Sequence, residues 1–211
     1  MLKTTIKISL VLAVIFLAYK FFKDDSNRPY ESSFLYKLSP KEKAKLQTGD
    51  IILRRGYGFV STMISKMMSE DYDVTHLGVV IKQNDSLKIA HALSSSVSNQ
   101  DGLRLQAIDS FVHNSHDSTI LVTRLKNIDT IKQSKIVKQI DYYYKKQLPF
   151  DHSFNYKDTT EHYCSELIWR IYEHNLKILQ VADSITDQQK YNTLKTFYDP
   201  NYFNIIINHQ K

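Results

Sequence analysis

A single cysteine stands in this 211-residue chain, and it limits the fold more than any other feature. No intrachain disulfide can staple the protein, and no multi-cysteine metal site can nucleate it. Stability must come from a hydrophobic core. A chain of this length with 42% apolar residues supplies one such domain and not two comfortable ones. The cysteine lies in Glu161-His162-Tyr163-Cys164-Ser165-Glu166-Leu167-Ile168-Trp169-Arg170. Leu167, Ile168, Ile171 and Tyr172 fall at helical spacing, and Thr159 or Thr160 is expected to cap the helix start. Cys164 then belongs to the first turn, where unpaired N–H groups and the helix dipole favour a thiolate. The other reading is a thiol buried only for packing, a common fate of free cysteines. What separates the two is whether the rest of the chain supplies a base.

The best source is Asp73-Val74-Thr75-His76-Leu77-Gly78-Val79-Val80-Ile81, a strand by its β-branched content and alternation. Gly78 has no side chain, so another element can come close there. Asn84-Asp85-Ser86 reads as a hairpin turn and residues 87–93 as the paired strand. His76 and His91 flank this hairpin at similar distances from the turn, which makes them candidate cross-strand neighbours. Such a pair can act as base and orienter: one imidazole takes the thiol proton while the other holds its tautomer. The plainer alternative is two polar residues on a solvated strand face.

Other elements frame these two stretches. Ser39 caps a short helix that opens on Pro40. Gln47-Thr48-Gly49-Asp50 is a turn leading into a buried strand at 51–54. Residues 60–68 read as a helix whose Met63, Met67 and Met68 could line a site, though at helical spacing they are expected in the core. A strand follows at 97–105 with a turn at Asp101-Gly102, then a short helix or loop at 107–113 and a strand at 118–125. Residues 127–144 read as a helix, apolar at Ile131, Ile136, Ile140, Tyr143 and Tyr144, and residues 148–151 as a turn. Near the end, 183–197 is polar with a weak helical pattern. Residues 202–207 are apolar and strand-like, suited to an edge strand or to covering a groove.

At the N-terminus, Lys3 and Lys7 precede an apolar run at 8–19, which Lys20, Lys23, Asp24 and Asp25 close. A basic start and about a dozen apolar residues match a secretory segment. A membrane span needs about 20 residues, and counting 6–22 approaches that length. We therefore expect a signal peptide or uncleaved signal-anchor over 1–25, a linker over 26–35, a catalytic domain over 36–176 and a C-terminal extension over 177–211. The protein is expected to be exported, either periplasmic or membrane-anchored outside the cytoplasm. A net charge of +6 suits anionic surroundings such as headgroups or wall polymers. No basic cluster or motif points to nucleic acid.

Taken in order, Gly49-Asp50-Ile51-Ile52-Leu53-Arg54, Thr75-His76-Leu77-Gly78-Val79-Val80, Pro149-Phe150-Asp151-x-x-Phe154 and Tyr163-Cys164-Ser165-Glu166-Leu167 resemble the circularly permuted NlpC-type papain-like enzymes, the YiiX/YaeF-like amidases. The likeness runs from about residue 46 to 172. His76 precedes Cys164, which is the permuted order. The resemblance implies an α+β, permuted papain-like domain, an antiparallel sheet or small barrel packed on helices, with the nucleophile at a helix N-terminus. It implies Cys164 as nucleophile and His76 as its base. His91 stands where the family places a third polar residue, often Glu, and Tyr163 adjoins the nucleophile to help shape the oxyanion site. The related lecithin:retinol acyltransferase-like enzymes also orient with a histidine.

The implied function is an exported cysteine amidase or peptidase working through a thioester, with a thiolate–imidazolium pair plausible at rest. Its partner would be a peptide or amide substrate of cell-wall or lipid origin, with membrane association through residues 6–22. The alternatives are a lipid acyl hydrolase or acyltransferase, and a non-catalytic binding module. No cofactor or metal is expected, since Asp151, His152 and His162 lack metal-ligand spacing. His162, two residues from Cys164, is a poor base. Glu166 points away from the cysteine and is expected to support loops or to pair with Lys or Arg.

Overall fold

The computed structural model describes residues 36–84, 86–96, 98–182, 186–191 and 193–210; the N-terminal apolar run and the linker lie outside them. Six antiparallel strands form one open sheet in the order β4-β3-β2-β1-β5-β6. They are β1 (Asp50–Arg54), β2 (His76–Gln83), β3 (Ser86–Leu93), β4 (Gly102–Ala107), β5 (Leu121–Leu125) and β6 (Phe203–Asn208). Helices α1 (Pro40–Lys45), α2 (Gly58–Met68), α3 (Ile108–His113), α4 (Thr130–Lys146), α5 (Cys164–Trp169) and α6 (Asp187–Tyr191) complete it. Beyond α5 the helix widens into a π turn at Arg170–Asn175. This is the α+β arrangement expected, with the sheet open instead of closed into a barrel.

Alternation along the strands sorts the core into two layers. Ile51, Leu53, Leu77, Val79, Ala90 and Leu121 face one side, where Ile136 and Ile140 of α4 and Leu167, Ile168, Trp169 and Tyr172 of the cysteine helix cover them. Ile52, Val80, Ile89 and Val122 face the other, under Phe111 and Val112 of α3. The Gly49-Asp50 turn ties the layers together. Gly49 adopts φ 89°, and a Cβ there would meet Ile128 and Ile136 at 2.7 and 2.9 Å. Asp50 closes the turn on Gln47 N–H at 2.8 Å and pairs with Arg124 of β5 at 2.7 Å. Segment 195–198 buries Phe197 and Tyr198, and β6 adds the edge strand beside β5.

Several expectations need correction. The strand expected at 97–105 begins only at Gly102 and runs to Ala107. Asp101 instead accepts from Ser95 N–H at 2.8 Å and Phe150 N–H at 2.9 Å, which holds the preceding segment as a loop. Neither Thr159 nor Thr160 caps α5. Thr160 bonds to Asp158, and Tyr163 is the cap residue. Ile131 and Tyr144 of α4 face outward. Of the α2 methionines, Met63 and Met67 are exposed, whereas Met68 is half-buried and packs against the core.

Candidate active site

His76 opens β2 and His91 lies on β3, both projecting to the α3 side of the sheet. The strands pair from Val79↔Ala90 to Gln83↔Ser86, so the two histidines are diagonal neighbours and not direct partners. Their rings meet all the same: His76 Nε2 lies 2.8 Å from His91 Nδ1. Gly78 makes this possible. A Cβ at Gly78 would stand 2.5 Å from Ile89 Cγ2 and 3.0 Å from His91 Cβ, so only glycine lets β3 come this near. His76 is half-buried and His91 is buried, and both rings rest on Phe111.

The cysteine helix covers the opposite side of the sheet, and its first residue lies near the start of β2, where Leu77 follows His76. The β2–β3 pairing begins at Val79, leaving the first three residues of β2 beyond it. The backbone N–H groups of Leu77 there, one residue from His76, of Ser165 and of Cys164 itself pull the Cys164 thiol towards ionisation. Cys164 is half-buried and packs against the core layer. One guanidinium, that of Arg54, acts electrostatically on Cys164, His76 and His91 alike, so all three share one neighbourhood. Arg54 is held by the Phe111 carbonyl at 2.7 Å with its charge 4.2 Å above the Phe111 ring.

The electrostatics correct the expected resting ion pair. Burial pushes the Cys164 thiol up to about 11, against the pull of the surrounding N–H groups and Arg54. Burial, with Arg54 and His91, holds His76 well below its ordinary value. Both effects disfavour charge, so the resting pair is neutral thiol and neutral imidazole. Such a pair works by general-base transfer: the proton leaves sulfur as the sulfur attacks.

Two residues that sequence reasoning missed complete this cluster. Arg54 is one, unremarkable in sequence because arginine at a strand end is usually solvated. Gln106 on β4 is the other. The Gln106 side chain raises the basicity of the His91 ring, which burial and Arg54 lower to about 3. Neither His91 Nε2 nor Gln106 Oε1, both buried, completes a hydrogen bond. An amide oxygen only accepts, so it favours the proton on His91 Nε2. His91 Nδ1 then accepts from His76 Nε2–H, and His76 Nδ1 keeps its lone pair for a thiol. Gln106→Leu is expected to lower kcat by only a few-fold, less than the roughly tenfold worth of a completed hydrogen bond, with KM unchanged. Gln106→Glu should recover the rate and move the acid limb of the pH profile upward.

Tyr163 is buried, its ring 5.3 Å from Phe154, and burial raises its phenol well above the ordinary range. Its role at the helix start is that of cap residue, and Glu166 accepts from its N–H at 3.4 Å. Glu166 is fully buried and paired with Arg170 at 2.9 Å, as expected for a residue turned away from the cysteine. Asp151, His152 and His162 have separate partners: Ser153, Asp101 and Glu166.

Residues 45–202 match the family model described as a permuted papain-like amidase enzyme, YaeF/YiiX, C92 family. Among solved structures, the metalloprotein YiiX from Escherichia coli O157:H7 is similar, with a TM-score of 0.56 and 20% identity over 76% of this chain and 89% of that one. No curated protein matches the sequence. The chain similar to this one is described as a metalloprotein. Among the described residues here, no group of three or more His, Cys, Asp or Glu is arranged to hold a metal ion.

Proposed function

The chain belongs to the permuted papain-like amidases of the YaeF/YiiX type, and on that footing we propose that it hydrolyses an amide bond with Cys164 as nucleophile and His76 as base. The observation that carries the reading is the His76–His91 contact of 2.8 Å, in the same field of Arg54 that acts on the Cys164 thiol. His76 Nδ1 removes the thiol proton as sulfur adds to the carbonyl carbon, and the same proton goes to the departing amine. Carbonyl π electrons move to oxygen, and the backbone N–H groups around the sulfur receive that charge, each typically worth about 3–4 kcal/mol. Collapse of the adduct expels the amine and leaves a thioester, which water hydrolyses. The apolar run at 8–19 and the positive net charge support export and a substrate in the cell wall or at a membrane.

Intact-mass analysis with a panel of peptide and N-acyl amides tests the proposal. The unsubstituted chain should carry the substrate's acyl group on Cys164 during turnover, and Cys164→Ala should lose at least about 10³-fold in rate. Turnover that survives in Cys164→Ala would reject it. A second reading, acyl transfer from a lipid ester, draws on His91 in place of a carboxylate. A fatty acyl group trapped on Cys164 would favour that one.

A further inference from the structure

Helix α2 is built inside out. Its one buried residue is Ser61, and hydroxyls join it to the protein. Ser61 Oγ meets Thr75 Oγ1 at 2.6 Å, Thr62 Oγ1 accepts from Arg55 at 3.1 Å, and Ser65 Oγ donates to Asp73 Oδ1 at 3.4 Å. The outward side carries Val60, Met63 and Met67, exposed by 42, 39 and 77%, with Phe59 beside them. Positions 60, 63 and 67 form one helical stripe. A surface helix in a water-soluble fold shows the reverse polarity, and an apolar patch turned to solvent marks a docking surface.

We infer that α2 is a membrane-docking helix, with the stripe Val60, Met63 and Met67 entering the surface of an anionic lipid bilayer. The position of the chain start selects this occupant. Tyr36, where the described chain begins, bonds through its hydroxyl to His209 at 2.9 Å. The next residue, Gln210, accepts from Asp73 N–H at 2.7 Å, and Asp73 in turn receives Ser65 of α2. The chain therefore enters the domain at an end tied to α2 through Gln210, Asp73 and Ser65. Residues 6–22 hold the apolar run with lysines at both ends, and residues 23–35 reach at most about 45 Å. A bilayer holding that run keeps this end of the domain at its surface. The net charge of +6 favours anionic headgroups. Thr75, bonded to Ser61 of α2, directly precedes His76, so docking of α2 sets His76 near the headgroups. Resting on the amidase reading, this points to lipid-linked amides as substrates.

The test uses the full chain reconstituted in phosphatidylcholine–phosphatidylglycerol vesicles. Met67→Trp adds an indole at an exposed site, and the native Trp169 is fully buried. A docked helix lies about 5–10 Å into the headgroup boundary, so lipids brominated near the headgroup should remove roughly half of the added emission. Tyr142→Trp, on the outer side of α4, should keep its emission. Hydrogen exchange on the unsubstituted chain should show slower exchange over 58–68 with vesicles than in their absence. Emission from Met67→Trp that ignores bromine overturns the inference, as does equal quenching at both sites. A bromine-independent blue shift that grows with protein concentration assigns the stripe to a second copy, and one that does not assigns it to the chain's own N-terminal run. Either result also overturns it. None of these readouts depends on turnover, so their failure leaves the amidase reading standing.

Discussion

His76→Ala is expected to lower amide turnover by about 10²–10⁴-fold, the range for loss of a positioned general base, and to change how Cys164 alkylation depends on pH. The sign follows from the site. Burial raises the thiol to about 11, so it remains protonated throughout the neutral range. Burial, Arg54 and His91 lower the imidazole, so His76 remains an unprotonated base well below pH 6.5. Between those limits the unsubstituted pair is thiol plus free base, and iodoacetamide should alkylate Cys164 at a rate nearly flat in pH. Without the base, alkylation waits for spontaneous ionisation and should climb about tenfold per pH unit towards 11. The two profiles should meet at high pH, where the thiolate forms unaided. Coincident profiles across the range would show that the imidazole does not serve the sulfur.

The placement of the candidate residues was legible where local chemistry marks it and illegible where the third dimension assembles it. Cys164 at a helix start and two histidines about a hairpin stand out in the sequence, because strand alternation and helical spacing fix which residues a strand or helix can bring together. The role of Gly78 was also legible, since a glycine inside a strand pattern signals close approach. Arg54 and Gln106 were not. Each is a polar residue in a strand and reads as solvated until the register with β2, β3 and β4 is known. The resting charge state was misjudged for a related reason: the thiol's position at a helix start argues for a thiolate, while the burial that outweighs it belongs to the packed molecule.

The fold shows the same division. Strands rich in Val and Ile were placed because their pattern has one reading. The cap of α5 was misplaced because Thr160 finds a closer partner in Asp158. Helix α2 was misread because Met63 and Met67 at helical spacing suit a core and an interface equally well. Its direction is decided by the hydroxyls of Ser61, Thr62 and Ser65, which find partners on the body of the protein.

Arg170→Leu is expected to be the most damaging single change to stability, at about 3–5 kcal/mol, because it strands a buried carboxylate. Glu166 is fully buried, and Arg170 meets its Oε1 with both Nε and an Nη, at 3.1 and 2.9 Å. Without the guanidinium, what remains is His162 Nδ1 at 3.5 Å and a long bond from Tyr163 N–H. Arg170 also holds the carbonyls of Tyr156 and Asp158, and so fastens the segment that leads into Cys164. At roughly 2–4 °C per kcal/mol for a chain of this size, the melting temperature should fall by about 6–20 °C. Adding Glu166→Leu to Arg170→Leu should recover part of the loss, since it removes the stranded charge. If the double variant melts no higher than the single, the loss belongs to the released carbonyls and not to the carboxylate. Alkylation of Cys164 well below the melting point separates stability from site geometry. A reactive thiol in Arg170→Leu would show that the helix start keeps its place without the clamp, whereas an altered pH profile would show that the clamp also aims the sulfur.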